Sequence, residues 1–168
     1  MEEIKKSIEN TYGFDVFIAD RKEIPSSAFV KIKSPRYRAD SILQIQKSNK
    51  PDSIDFIIGL TNLDISTTKK DESGNVLKPE SRYSDWGVFG LGYRPGCSSI
   101  VSTFRLGTSN RKLLLERIKK VCNHELGHNF GLPHCTSSET CVLRDAAETI
   151  KTVDNVDDTL CNICKAKI

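Results

Sequence analysis

All three histidines of this chain fall within fourteen residues, CNHELGHNFGLPHC at 122–135. Their pattern is His124-Glu125-x-x-His128-x-x-Gly131-x-x-His134. An α-helix advances ~100° per residue, so His124 and His128 lie ~40° apart on one face, with Cβ atoms ~5–6 Å apart. Two imidazoles so placed can grip one zinc ion. Glu125 lies ~60° round from His128, too far for an obvious third ligand but within reach of a water on the metal. Gly131 lets the chain leave the helix in a conformation other residues avoid. Pro133 stiffens the turn, and His134 returns as a third ligand. Three protein ligands leave a fourth position for water, the layout of a catalytic rather than a structural zinc. Zinc acidifies that water and polarises a carbonyl, while Glu125 takes the proton and passes it to the leaving amine. The expected reaction is hydrolysis of a peptide bond. A bare His-x-x-x-His is more often a chance pair on a helix, but here five positions match and no histidine elsewhere competes.

The cysteines point to a second metal. Cys135 directly follows His134, and neighbouring side chains of an extended segment face opposite ways. One can address the first zinc while the other faces away. Cys135, Cys141, Cys161 and Cys164 crowd the last 34 residues and include a Cys-x-x-Cys, CNIC. A closed four-thiolate zinc is structural and supplies folding energy; here it would tie the tail to the active-site turn. A redox Cys-x-x-Cys competes, but it wants the pair at the start of a helix that follows a strand, which this tail does not offer. Cys122 sits ~200° round the helix from His124 and reads as core packing. Cys97 reads as a thiol without a ligand role.

The motif needs a rigid helix, and Leu114, Ile118 and Val121, with Leu115, Cys122 and Leu126, repeat at helical spacing. They predict a helix over 110–129, broken by Gly131 and Pro133. Upstream, 2–11 and 38–48 read as helices, and FDVFIA (14–19), AFVKIK (28–33) and IDFIIGL (54–60) as strands. Polar residues 66–86 read as a surface loop. GVFGLGY and SSIVSTFRL flank RPGC as a hairpin. The tail from 132 reads as loop-rich with one short helix near its end. At 168 residues the chain is expected to form a single domain, 1–168, with an N-terminal subdomain 1–131 and a C-terminal subdomain 132–168. The net charge of +3, from 25 basic and 22 acidic residues, is too even to argue for nucleic acid or an anionic membrane as partner. No apolar run approaches the ~18 residues of a membrane span. The opening MEEIKKSIEN lacks the apolar centre of a secretory signal, so the expected location is cytoplasmic, where a disulfide framework is not expected. The expected state is a monomer.

HELGHNFGLPHC, the following Cys141-Val142-Leu143 and CNIC, with the hairpin and IVSTFRL before the helix, resemble the archaemetzincins, a branch of the metzincin zinc peptidases. The resemblance runs from about residue 37 onward. It implies His124, His128 and His134 as catalytic zinc ligands, Glu125 as general base, and Cys135, Cys141, Cys161 and Cys164 at a second zinc. It implies an α+β fold, a metzincin-like zincin with a twisted mixed sheet of about five strands, two main helices and a small zinc-stapled C-terminal lobe. The substrate would be a peptide or unfolded protein. If GVFGLGY is the edge strand of the cleft, the substrate would lie along it as an added strand. Two features depart from the family. Five residues, TSSET, separate the first two cysteines where four are usual. Leu143 stands where metzincins carry a methionine beneath the histidines, a volume-conserving exchange that costs below ~1.5 kcal/mol.

Two other functions compete with the peptidase. One is a zinc-stabilised peptide- or protein-binding pseudo-peptidase with little or no turnover. The other is an interaction module built on the four-cysteine zinc alone, which leaves the histidines unexplained. A carboxylate beside an open metal position favours the enzyme. Among Arg82, Tyr83, Tyr93 and Arg94, the sequence selects none as a partner for the transition-state oxyanion.

Overall fold

The computed structural model describes residues 1–145 and 149–168. Its helices are α1 (Glu2–Tyr12), α2 (Ala39–Ser48), α3 (Glu80–Tyr83), α4 (Arg111–Asn129), α5 (Ile150–Asn155) and α6 (Asn162–Lys165). Its strands are β1 (Phe29–Lys31), β2 (Pro35–Arg38), β3 (Ile57–Thr61), β4 (Ile65–Thr67), β5 (Trp86–Gly87), β6 (Gly90–Gly92) and β7 (Ser98–Ser102). Hydrogen bonding groups them as β1-β2-β4-β5 and β3-β7-β6, each mixing parallel and antiparallel pairs. One extended segment joins the two groups. Val88 N–H donates to Ile65 O at 3.1 Å, while Phe89 O accepts from Ser102 N–H at 2.8 Å. Neighbouring residues of a strand bond to opposite sides, so 86–92 passes from β4 to β7. The α+β architecture expected from the resemblance is present; among the described residues it has seven short strands in two joined groups where about five in one sheet were expected.

Successive residues of a strand face opposite sides, and β7 uses this to build two cores. Ile100 packs with Ala39, Ile42, Leu43 and Ile65 on the α2 side. Val101 packs with Ile4, Ile8, Val121, Cys122 and Leu126 on the side of α1 and α4. In α1 the buried Ile4, Ile8 and Thr11 recur at helical spacing, and Glu2 and Glu3 complement the helix dipole in its first turn. Gly13, at φ 74°, closes the helix by donating to Glu9 O at 2.8 Å.

The structure corrects several sequence expectations. FDVFIA alternates as a strand should, with Phe14 and Val16 packed on the core and Phe17 77% exposed, but it has no partner strand among the described residues and remains irregular. Alternation reports a buried face, and a ladder needs a neighbour as well. PRYR (35–38), which did not read as a strand, is β2; its Arg36 Nε lies 2.9 Å from Asp64 Oδ2, so an internal ion pair masks the strand pattern. The expected loop 66–86 contains the rest of β4, α3 and the start of β5. The tail carries two short helices, α5 and α6, in place of one.

Beyond Asn129 the chain forms a third buried cluster of Leu132, Cys135, Cys141, Val142, Leu143, Leu160 and Cys164. Cysteines supply much of it, and all six thiols of the chain are free of disulfides.

Candidate active site

Helix α4 carries the motif. Asn110 caps it, its side-chain oxygen accepting from Leu113 N–H at 3.1 Å. The C-terminal half is buried on nearly all sides: Asn123, Glu125, Leu126, Gly127, His128 and Asn129 are all buried. Asn129 ties this end to the β6–β7 hairpin, its Nδ2 donating to Tyr93 O and Ser98 O, both at 3.0 Å. Gly131, at φ 87°, turns the chain out of the helix as the sequence predicted, and its N–H donates to His128 O at 2.8 Å.

The three imidazoles converge. Ring centroids are 4.6 Å apart for His124–His128, 5.3 Å for His124–His134 and 4.9 Å for His128–His134. His124 Nδ1 lies 2.8 Å from Val142 O, and His128 Nδ1 lies 2.8 Å from Leu132 O. A carbonyl only accepts, so both Nδ1 atoms carry the proton and both Nε2 atoms keep a lone pair. Those two Nε2 atoms stand 3.1 Å apart, close to the ~3.3 Å edge of a tetrahedron whose ligands sit ~2.0–2.1 Å from zinc. His134 Nδ1 lies 3.8 Å from an Asp145 carboxylate oxygen. Burial, followed by the neighbouring ring, pushes His124 down to about 3; burial pushes His128 down to about 4. Both rings are therefore neutral near pH 7. Two lone pairs held face to face without a shared proton fit a cation between them.

Glu125 is buried beside this group, and burial pushes its carboxyl up to about 8, with a backbone hydrogen bond from Gly92 pulling it back. A divalent ion held by the histidines would oppose that rise. The cleft is lined by Trp86, Val88, Gly90, Val121, Val142 and Val153 together with all three histidines and Glu125. β6 ends its sheet, as expected of a strand bordering the cleft. Val88, however, is already bonded to β4, so any open edge begins after it. Of the four residues considered for the oxyanion, Tyr83 stacks on Trp86 at 5.4 Å and Arg82 covers the same ring at 5.2 Å. Tyr93 packs against the α2 core, and the Arg94 charge helps lower His128. Sequence reading gave no weight to Val142 O and Leu132 O, because backbone acceptors leave no signature in side-chain types.

The sulfur atoms of Cys135, Cys141, Cys161 and Cys164 all lie within 4.8 Å of one another. Cys135 Sγ and Cys161 Sγ are 3.8 Å apart, which matches the ~3.8 Å edge of a tetrahedron with Zn–S bonds of ~2.3 Å. A backbone hydrogen bond from Cys164 brings the Cys161 thiol down to about 7, while burial raises Cys141 and Cys164. His134 is exposed and Cys135 buried, so adjacent residues do face opposite ways. Cys122 is absent from the cluster and sits in the α4 core, where burial pushes its thiol up to about 12. Leu143 is fully buried and packs on Gly127, where an added Cβ would lie 2.7 Å from Leu143 Cδ2.

Mixed sheets packed on a helix that carries two histidines, with a third converging on them from the following turn and a four-cysteine cluster alongside, are the arrangement of a zinc metallopeptidase class. The sequence pattern of peptidase family M54 matches residues 2–168. The archaemetzincin of Haloquadratum walsbyi is 30% identical over 96% of this chain and 87% of its own. The crystal structure of the archaemetzincin from Methanopyrus kandleri superposes with a TM-score of 0.77 at 26% identity, covering 98% of this chain and 81% of that one. The archaemetzincin from Archaeoglobus fulgidus, crystallised with malonate, shares the fold at TM-score 0.72 and 24% identity over 100% of this chain and 94% of that one. The chain belongs to peptidase family M54, the archaemetzincins.

Proposed function

We propose that this chain is an active zinc metallopeptidase that hydrolyses peptides or unfolded protein. His124, His128 and His134 would hold a catalytic zinc, and Cys135, Cys141, Cys161 and Cys164 a structural one. The observation that carries this reading is the pair of proton-free Nε2 atoms 3.1 Å apart, aimed by carbonyls at a common point beside a buried carboxylate. A zinc held there supplies an acidified water and a Lewis acid for the scissile carbonyl. The chain's own part is threefold. The Val142 and Leu132 carbonyls fix the tautomers of His124 and His128. The cleft walls of Val88, Val121, Val142 and Val153 exclude water from around the reacting groups. Glu125 accepts a proton from the attacking water and delivers it to the departing amine, a transfer suited to a carboxyl that burial brings toward neutral pH.

The second reading, a pseudo-peptidase that only binds, shares both metals and the cleft. What favours turnover over it is Glu125, a buried carboxylate that packing alone does not require. Zinc counting tests the metal assignment. The wild type is expected to hold two zinc ions and His124→Ala/His128→Ala one, with the fold kept. One ion in the wild type, unchanged in the double variant, would support the four-cysteine module instead.

A further inference from the structure

Two glycines of β6 face the motif helix, and they meet different atoms of the same residue. A Cβ at Gly92 would stand 2.6 Å from the backbone oxygen of Glu125 and 3.3 Å from Asn129 Nδ2. Neither neighbour can yield: one is helix backbone, and the other is held by Tyr93 O and Ser98 O. Gly92 therefore sets how closely α4 approaches the strand. A Cβ at Gly90 would stand 2.6 Å from Glu125 Oε1, 2.8 Å from Glu125 Cγ and 2.9 Å from Val121 Cγ1. All three are side-chain atoms. Here the helix backbone can stay in place; the Glu125 side chain, which makes the two shortest of these contacts, must turn away, and Val121 must give a little as well.

We propose that Gly90 is a positioning residue for the general base: the missing side chain on β6 is the space in which the Glu125 carboxylate is held between the strand and the histidines. The idea rests on the reading of Glu125 as base. A three-bond side chain such as glutamate has several rotamers open to it, and burial at an edge strand leaves it few. Gly90 and Gly92 thus divide the work, one placing the carboxylate and the other placing the helix.

The test uses zinc-loaded protein, fluorescein-labelled casein as substrate, and the variants Gly90→Ala, Gly92→Ala, Glu125→Gln, Glu125→Ala and the two glycine changes combined with Glu125→Ala. Gly90→Ala is expected to keep the wild-type zinc count and KM while kcat falls by about 10- to 100-fold, the scale of a misplacement near 1 Å. Its thermal midpoint should fall further in the wild-type background than in Glu125→Ala, where the clashing Cγ and carboxylate are gone and only the Val121 Cγ1 contact remains. Gly92→Ala should lower the midpoint in both backgrounds, because its obstacle is backbone. A wild-type kcat in Gly90→Ala would overturn the proposal, as would an equal midpoint loss in both backgrounds. Full turnover by Glu125→Gln would instead overturn the base assignment, and the midpoint comparison still reads the Gly90 contact by itself.

Discussion

Converting Cys161 to serine should disturb a site that Cys161 never touches. Cys161 is the least buried of the four cysteines, so serine fits without strain, but the proposed zinc site would lose a thiolate. Structural zinc contributes ~10–16 kcal/mol of apparent binding free energy in small domains, comparable to the whole ~5–15 kcal/mol of a folded protein. Among the described residues, the buried cluster around the cysteines has four apolar members besides them, Leu132, Val142, Leu143 and Leu160, so loosening is expected there first. The turn 141–143 hangs on the cluster: Cys135 N–H donates to Leu143 O at 2.9 Å, and Cys161 N–H meets Cys141 Sγ at 3.4 Å. Within that turn, Val142 O is the partner of His124 Nδ1 at 2.8 Å. Losing such an outer partner costs about 10–100-fold in metal affinity. Cys161→Ser is therefore expected to lose one zinc outright and to surrender the other to a colorimetric chelator at about 10–100-fold lower competing concentration. Far-UV circular dichroism should still report α1 and α4. A variant whose remaining zinc is held as tightly as in the wild type would refute the linkage through Val142.

Leu143→Met should be tolerated within ~1.5 kcal/mol, whereas Leu143→Ala should cost ~2–5 kcal/mol in urea unfolding, since it opens a void against Gly127. Arg117 forks onto Asp154 at 2.7 and 2.8 Å, and these bonds hold the Asp154 carboxyl below the usual aspartate range. A depressed folded value means the pair's contribution is fully present above the ordinary value of ~3.9 and is lost as pH falls through the folded one. Asp154→Asn should therefore melt below wild type at neutral pH and converge with it in strong acid; a gap that persists in acid would count against the pair. Tyr12→Phe removes the hydroxyl that donates to Asn123 O and should lower stability by ~0.5–1.5 kcal/mol, read by the same unfolding assay.

The candidate site was more legible in the sequence than the sheet that supports it. Spacing alone placed His124 and His128 on one helix face and set Cys122 aside, because a helix imposes a strong period. The αL turn at Gly131 and the opposite facing of His134 and Cys135 followed from equally local rules. The strands did not, since their pairing depends on distant partners. Arg36 in β2 reads as a surface charge until Asp64 arrives opposite it. Phe14 and Val16 read as a strand, yet both pack on the core without a ladder, Phe14 against the rings of Tyr12, Phe56 and Phe130. The hydrogen bonds that orient His124 and His128 were hidden for a related reason: Val142 and Leu132 contribute carbonyls, which every residue type carries. The role of Gly90 was likewise out of reach, because only the packed structure shows what a Cβ there would strike.

The central claim is that Glu125, beside a zinc held by His124, His128 and His134, carries out peptide hydrolysis. It is tested most directly by incubating zinc-loaded wild type and Glu125→Gln with a mixed peptide library and reading the cuts by mass spectrometry, with bound zinc counted in both. The expected result is new termini from the wild type alone at equal zinc content. Cuts of equal extent from both proteins would contradict the assignment of Glu125, and none from either would favour the binding reading.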